Sequence, residues 1–249
     1  MKIAAIVQAR MASTRLPGKV TARLGDRTIL GHVIARLRSC ARIDEVVIAT
    51  TVEPRDDVIV NEARSWGVRT FRGSESDVLE RYWQAAEACG ADAIVRATSD
   101  NPLVDPGLVG RIIGTFLQGQ ADGSNLAYVS YTDPPTYPLG AGVEIFTFAA
   151  LRQAHLEAEQ QYEREHVTPF IYRRPERFHF TYVVSEVDLS AHRWTVDTPD
   201  DLRLIEEIYA ELYVPGRVFG MDEVLALFAR RPDLPKINAH IIQKTLPAK

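Results

Sequence analysis

The chain has 249 residues, of which 46% are hydrophobic and 25% are charged. These proportions are typical of a folded globular protein and exclude a disordered or fibrous architecture. The formal net charge of -4 gives no overall positive field, so no nucleic-acid partner is expected and a phosphate ligand would need a local basic site.

The cysteines and the N-terminus narrow the class further. Cys40 and Cys89 show neither CxxC nor Cys/His spacing, so we expect reduced core thiols rather than a zinc site. The apolar run 3–7 is interrupted at Gln8 and Arg10, which makes it too short for a signal peptide core or a membrane span. A cytoplasmic protein without a membrane partner is therefore predicted.

The first half of the chain alternates predicted strands with predicted helices. Residues 3–7 and 46–51 are continuous apolar runs, typical of parallel strands buried on both faces. Apolar residues recur at helical spacing across 29–37, which implies a right-handed crossover between these two strands. The pattern continues with helix 55–66, strand 68–71, a helix from 78 to Gly90, strand 93–97 and helix 108–116.

The second half begins with a change in composition. Residues 119–142 are rich in Gly, Pro, Asp and Tyr, which predicts a flap with one short strand at 126–130. Later residues predict strands at 143–146 and 178–184 and helical segments at 148–160 and 163–173. Pro169 is expected to bend the second of these helical segments. A further helix is predicted after Thr198, which would cap it, with Pro199 in the first turn of that helix. Without an internal repeat or a composition break, residues 1–249 are predicted to form one domain.

A cationic loop follows the first predicted strand and contains Arg10, Arg15 and Lys19. Ligands of an open α/β sheet bind at the carboxyl ends of strands, where a loop can also present backbone N–H groups to phosphate. We therefore expect these cations to neutralise a triphosphate; the alternative is a solvated basic loop. Neither G-x-x-x-x-G-K-[ST] nor G-x-G-x-x-G occurs, which disfavours a P-loop NTPase and an NAD-dependent dehydrogenase.

The same loop resembles a known family. Gln8-Ala9-Arg10, followed by Ser13 and by Arg-Leu-Pro-Gly-Lys at 15–19, is similar to the signature of the acylneuraminate and KDO cytidylyltransferases, most closely their SpsF-like spore-coat polysaccharide branch. Further segments resemble family blocks in the same order, so the resemblance extends to about Leu202; these segments are 73–81, 96–106, 165–169 and 194–202. Ser99 and Asn101 depart from the branch, which usually has Gly before the aspartate at 100 and often Cys after it.

This resemblance implies an α/β fold with a mostly parallel, doubly wound sheet of the nucleotide-diphospho-sugar transferase (GT-A-like) type and an inserted flap. It implies a Mg2+-dependent cytidylyltransferase that activates a sugar, by analogy an acidic one, from CTP for surface glycan synthesis and releases pyrophosphate. The parts would be a nucleotide-binding half 1–118, a flap and sugar-binding half 119–192, and a metal segment with C-terminal helices 193–249. A homodimer is also implied, and the flap aromatics Tyr128, Tyr131 and Tyr137 would permit it.

The resemblance also assigns roles to residues. Asp100 and Asp197 would bind the metal, and the catalytic set would be Arg10, Arg15, Lys19 and Asp100. The nucleotide-binding set adds Gln8 and Ala9, together with Arg72 and Asp77 at the end of the third predicted strand. Sugar contacts would come from Glu144 and His166.

Each of these assignments has a structural alternative. An Asp before a helix is often only a cap, which we accept for Asp105 and which would also explain Asp197. Arg72 would more commonly be a surface arginine, a strand glutamate such as Glu144 often faces solvent, and a lone helical His such as His166 is usually a surface or core residue.

Three rival functions remain. A nucleotide-sugar-dependent glycosyltransferase would commonly carry Asp-x-Asp, which the sequence lacks. A nucleotidyltransferase of the same fold could use UTP or another nucleotide with a sugar 1-phosphate. An inactive nucleotide-binding scaffold is disfavoured because the cations and both aspartates occur together.

Overall fold

A mixed β-sheet forms the centre of the folded protein. The computed structural model describes residues 1–13 and 15–243, and within these ranges the sheet has seven strands. Thr14 of the basic loop and residues 244–249 of the predicted C-terminal part lie outside the described residues.

The strands follow the predicted order closely. They are β1 (Ile3–Gln8), β2 (Arg23–Leu24), β3 (Arg27–Thr28), β4 (Glu45–Thr51), β5 (Arg69–Gly73), β6 (Ala93–Thr98), β7 (Tyr128–Ser130), β8 (Glu144–Thr147) and β9 (Phe180–Tyr182). The central sheet has the order β5-β4-β1-β6-β8-β7-β9, while β2 and β3 form a small hairpin apart from it.

Helices connect these strands where apolar residues recur at helical spacing. They are α1 (Ile29–Arg38), α2 (Asp57–Ser65), α3 (Val78–Cys89), α4 (Pro106–Ala121), α5 (Phe148–Glu157), α6 (Gln161–His166), α7 (Pro169–Tyr172), α8 (Pro199–Leu212) and α9 (Met221–Arg230). Short 3-10 turns occur at Lys19–Thr21, Pro54–Asp56 and Leu234–Lys236. The Asp105 and Thr198 side chains cap α4 and α8 as predicted, and Pro169 separates α6 from α7.

Strand direction divides the sheet into two parts. β5, β4, β1 and β6 are mutually parallel, whereas β8 runs antiparallel to both β6 and β7, and β9 is parallel to β7. The predicted mostly parallel α/β sheet is confirmed. Residues 119–192 contribute β7, β8 and β9 to the same sheet, close to the positions predicted for strands at 126–130, 143–146 and 178–184.

Apolar side chains cover both faces of the sheet. One face packs against α1, α2, α4, α8 and α9, and the other against α3, α5 and α7. This arrangement explains why β1 and β4 are apolar at consecutive positions, since side chains on each face meet a helical layer. Cys40 and Cys89 are buried free thiols, as predicted.

The flap aromatics do not provide a dimer surface. Tyr128, Tyr131 and Tyr137 are exposed by only 0%, 7% and 4%, because their rings complete the core around β7. No described helix is long and apolar enough to cross a bilayer.

His32 of α1 is a titratable group within this core. Its ring centroid lies 4.4 Å from that of Tyr209 and 5.0 Å from that of Tyr213, and its Nε2 lies 2.7 Å from the Leu24 carbonyl oxygen. Burial lowers the pKa of His32 from 6.5 to about 4, although the Leu24 hydrogen bond acts in the opposite direction. His32 is therefore neutral in the folded chain at neutral pH.

We expect His32 to make the protein less stable as pH falls from about 6.5 towards 4. In this window the unfolded chain takes up a proton at His32 while the folded chain does not, so the free energy of unfolding loses up to about 3 kcal/mol. Urea unfolding of wild type and His32→Gln at several pH values measures this contribution as the pH-dependent part of their difference. His179→Gln, at an exposed position, is the matched control. A constant difference between wild type and His32→Gln across this range would contradict the prediction.

Candidate active site

A cavity of about 330 Å3 opens at the carboxyl ends of the parallel strands, where ligand sites of such sheets are expected. Its wall includes residues that follow β1 and β6, residues of α3 and the end of α6. Eight residues predicted from the sequence line it: Gln8, Ala9, Arg10, Arg15, Lys19, Asp100, His166 and Asp197.

The basic loop after β1 is held by a buried carboxylate. Asp56 accepts a hydrogen bond of 2.7 Å from the Met11 backbone N–H and another from the Thr51 hydroxyl. At the other end of the loop Gly18 adopts φ 72°, a left-handed conformation that favours glycine, and the chain then enters the 3-10 turn containing Lys19. Asp56 lies 45 residues after Met11, and no local sequence pattern marked it as an anchor of this loop.

Lys19 joins the loop to the two aspartates. Its Nζ lies 2.7 Å from Asp100 Oδ2, 2.8 Å from Asp197 Oδ1 and 2.7 Å from the Val196 carbonyl oxygen. These three acceptors use all the donors of an ammonium group. Burial alone would lower the pKa of Lys19, but the charges and hydrogen bonds of Asp100 and Asp197 raise it above its usual value. Lys19 is therefore a fixed positive charge.

Asp197 accepts hydrogen bonds from cations on both of its oxygens. Oδ1 contacts Lys19 and lies 3.1 Å from Arg15 Nη2, while Oδ2 lies 2.8 Å from Arg193 Nη2. Burial would raise the pKa of Asp197, but Lys19, Arg15 and Arg193 together lower it, so this carboxylate is ionised at neutral pH. Thr198, not Asp197, caps α8, which removes capping as the explanation of Asp197.

Arg193 and Asp201 support Asp197 from behind. Arg193 Nε lies 2.9 Å from Asp201 Oδ1, and Asp201 Oδ2 accepts the backbone N–H groups of Asp197 and Thr198 at 3.0 Å. Asn238 donates to both the Arg193 carbonyl oxygen and Asp201 Oδ1 at 2.9 Å. We did not predict from the sequence that Arg193 and Asp201 hold Asp197. The opposite charges at positions 193 and 201, on either side of Asp197, could have indicated this ion pair.

The two predicted metal ligands fit a hard divalent cation. The carboxylates of Asp100 and Asp197 converge on one positive centre, the Lys19 ammonium, which occupies the position between them. Within 1–13 and 15–243 no three His, Cys, Asp or Glu side chains are close enough to hold a metal ion together. A Mg2+ ion beside this pair would therefore complete its oxygen shell with water and substrate phosphate.

A second cavity of about 340 Å3 adjoins the first. Both are lined by Gln8, Asp100, His166 and Asp197, so the two spaces meet beside the carboxylate pair. A ligand in each cavity could therefore bring its reacting group to one place.

The second cavity is bordered by an ion pair between adjacent strands. Glu144 of β8 pairs with Arg96 of β6, and its Oε1 accepts hydrogen bonds from the Tyr128 hydroxyl at 2.6 Å and the Thr168 hydroxyl at 2.8 Å. Arg96 also reaches Gln8 Oε1 at 3.3 Å. Glu144 is therefore not a solvent-facing strand residue, and a sugar hydroxyl at its carboxylate would compete with internal partners.

His166 lies where the two cavities meet and is followed by a strained turn. Val167 has φ 73° and ψ -58°, an unusual conformation for a β-branched residue, and the Thr168 N–H donates to the His166 carbonyl oxygen at 2.9 Å. Burial lowers the pKa of His166, which favours a neutral ring at neutral pH. Strain of this kind clusters at functional sites, and it adds to the reasons for retaining His166 in the site.

The structure does not bring Arg72 and Asp77 to either cavity wall. Arg72 donates to the carbonyl oxygens of Thr51 at 2.8 Å and Glu53 at 2.9 Å and pairs with Asp57. Asp77 caps α3 through the Glu80 N–H at 2.9 Å and pairs with Arg164. Both side chains stabilise the local fold in this structure.

Known proteins share this architecture and sequence. A family model for cytidylyltransferases matches residues 4–216. The spore coat polysaccharide biosynthesis protein SpsF of Bacillus subtilis is 34% identical over 236 residues, which cover 92% of this chain and 94% of SpsF.

Solved structures extend the comparison to the fold. A cytidylyltransferase from Leptospira borgpetersenii aligns with a TM-score of 0.89 and 32% identity, covering 98% of this chain and 100% of its own. A CMP:2-keto-3-deoxy-manno-octonic acid synthetase complexed with CTP shares the fold at a TM-score of 0.61 and 19% identity, covering 85% of this chain and 99% of its own.

Glu144→Ala should destabilise the fold strongly. The substitution leaves the largely buried Arg96 guanidinium without its carboxylate, which we expect to lower the free energy of unfolding by about 3–5 kcal/mol. Denaturant unfolding measures the loss. The double variant Arg96→Met with Glu144→Leu should recover most of it, because neither charge then remains buried alone. Wild-type stability in Glu144→Ala would instead indicate that Glu144 is free to serve a ligand.

Proposed function

The chain belongs to the cytidylyltransferase family, and on that basis we propose that it transfers the cytidylyl group of CTP to a sugar hydroxyl with Mg2+ and releases pyrophosphate. The observation that carries the proposal is the convergence of Arg15, Lys19, Asp100 and Asp197 beside one cavity. Cations for a polyphosphate and carboxylates for its metal ion are thus within reach of one ligand.

In the proposed reaction the sugar oxygen attacks the α-phosphorus of CTP. A new oxygen–phosphorus bond forms, the bond from the α-phosphorus to the bridging oxygen of the β-phosphate breaks, and the sugar hydroxyl loses its proton. Arg10, Arg15 and Lys19 would reduce the charge on the phosphates, which lessens repulsion of the entering oxygen and stabilises the departing pyrophosphate. Backbone groups of Gln8 and Ala9 lie at the same strand end and would border the nucleotide.

Asp100 and Asp197 would hold Mg2+ beside the phosphates. When bound, the ion would add positive charge next to the transferred group and orient its oxygens. Lys19 occupies the position between the two carboxylates, so we infer that its ammonium group moves towards the phosphates when nucleotide and metal bind. Arg193 keeps its contact with the other oxygen of Asp197, which lets Asp197 remain in place while Lys19 moves.

The second cavity is the proposed acceptor site, with His166 and the Glu144–Arg96 pair at its border. Arg96 is the only arginine or lysine among the described residues that lines this cavity, and Glu144 already neutralises it. This charge balance favours an uncharged sugar face over the acidic group implied by analogy. The name of the SpsF relative supports a role in surface polysaccharide synthesis. We also propose a cytoplasmic location and a homodimeric state. Light scattering measures the oligomeric state.

Asp100→Asn should remove most pyrophosphate release from CTP. Loss of one carboxylate charge beside the metal is expected to reduce turnover at least about 100-fold, while circular dichroism and the melting temperature stay close to wild type. Electron paramagnetic resonance of Mn2+ in the presence of CTP should also report weaker metal binding.

The control for this experiment is Asp222→Asn, which changes an exposed aspartate at the start of α9.

Wild-type protein is supplied with each of the four ribonucleoside triphosphates and Mg2+ together with a panel of sugars. Preferential pyrophosphate release from CTP supports the proposed function. Preference for UTP with a sugar 1-phosphate, or near-normal turnover by Asp100→Asn, would overturn it.

Arg15→Ala should weaken CTP binding roughly tenfold, because a hydrogen bond from a guanidinium to a phosphate oxygen is lost. Isothermal titration calorimetry measures the affinity. Arg72→Ala is the matched control, since Arg72 lies outside both cavities and its donors are held by backbone oxygens and Asp57. Equal affinities for wild type and Arg15→Ala would indicate that the basic loop is only a solvated surface.

A further inference from the structure

Arg81 is a buried cation in the wall of the first cavity that the proposed reaction does not use. It lies on α3, is only 1% exposed and lines the same space as Arg10, Lys19 and Asp100. Buried arginines are uncommon unless their charge and donors are satisfied, so the contacts of Arg81 need an explanation.

The internal partners of Arg81 are incomplete. Its Nη1 donates to the Ser74 carbonyl oxygen, but its Nε–H has no acceptor in the described chain, and no described carboxylate lies within ion-pair distance. Other buried arginines have more internal partners: Arg193 pairs with two aspartates, and Arg36 donates to two carbonyl oxygens and a tyrosine hydroxyl. The Nε–H of Arg96 also lacks an acceptor in the described chain, but Arg96 is paired with Glu144. A guanidinium in a cavity wall with no carboxylate partner and an unpaired donor can donate to a ligand in that cavity.

Arg81 is hydrogen-bonded at a different strand end from Asp100. Ser74, whose carbonyl oxygen accepts the Arg81 hydrogen bond, directly follows β5, whereas Asp100 follows β6. β4 and β1 lie between these strands, so the two strand ends are three spacings, or about 14 Å, apart. Val78, one helical turn before Arg81, lines the same cavity and adds an apolar surface. The cavity therefore extends from a charged end towards an end with donors and apolar contact.

We propose that Arg81 recognises the base of the nucleotide by donating hydrogen bonds to O2 and N3 of cytosine. This inference rests on the proposed function and specifies how the site would select its nucleotide. Cytosine presents two adjacent acceptors at O2 and N3, which suit the donors of one guanidinium group. Uracil carries a hydrogen on N3, which would face another donor, so the same arginine disfavours UTP.

The experiment compares wild type with Arg81→Met by calorimetry, using CTP, UTP and inorganic tripolyphosphate as separate probes. Met retains an apolar stem of similar length but has no donor. We expect CTP affinity to fall roughly 10- to 100-fold, the preference for CTP over UTP to approach one, and the affinity for tripolyphosphate to stay within about twofold. Arg55→Met, an exposed position paired with Glu75 next to Ser74, should leave all three affinities unchanged.

Alternative results have separate meanings. A parallel loss of tripolyphosphate affinity would assign Arg81 to the phosphates and overturn the inference, as would an intact CTP preference in Arg81→Met. If the melting temperature shows that Arg81→Met does not fold, Arg81→Lys serves instead, because it keeps the charge but cannot offer the planar pair of donors, and it should also lose CTP preference. Wild-type protein without any preference for CTP would contradict the proposed function itself.

Discussion

The contact of the Lys19 ammonium with Asp100 and Asp197 is the interaction on which the arrangement of the site depends. It joins three segments that are far apart in sequence: the loop after β1, the end of β6 and the turn before α8. Two carboxylates this close would repel each other without a cation between them. The Lys19 ammonium group therefore supplies the positive charge that holds Asp100 and Asp197 together.

The fold also joins the three segments through contacts that do not involve Lys19, so their meeting does not rest on this contact alone. Parallel pairing of β1 with β6 aligns their carboxyl ends, and the Val196 N–H binds the Asp100 carbonyl oxygen at 2.8 Å. Asp56 accepts a hydrogen bond from the Met11 N–H of the loop after β1, and Arg193 donates to Asp197 Oδ2. Lys19 can thus exchange its carboxylate partners for phosphate oxygens while the surrounding backbone remains in place.

The sequence predicted the fold and the charged cluster well, because both depend on local patterns. Apolar strands, helical spacing and caps such as Thr198 are properties of short segments, and the aspartates follow a strand or precede a helix. Long-range pairing was harder to predict. Glu144 is held by Arg96, Tyr128 and Thr168, while Arg72 and Asp77 turn to nearby partners instead of the cavity. Which partner a charged side chain meets depends on the packing of distant elements, and composition does not encode it.

Arg96 and Arg81 show how the same residue type serves opposite ends of the site. Arg96 has its charge matched by Glu144, so it stabilises the sheet beside the acceptor cavity and offers little attraction to an acidic group. Arg81 has no such carboxylate, and its Nε–H has no acceptor in the described chain, so the guanidinium can still donate to a neutral ligand edge. The charge of Arg81 is thus unpaired where the nucleotide base would bind. The charge of Arg96 is already paired with Glu144 where an uncharged sugar face would bind. Selectivity at each end follows from whether the fold itself has already supplied the partner.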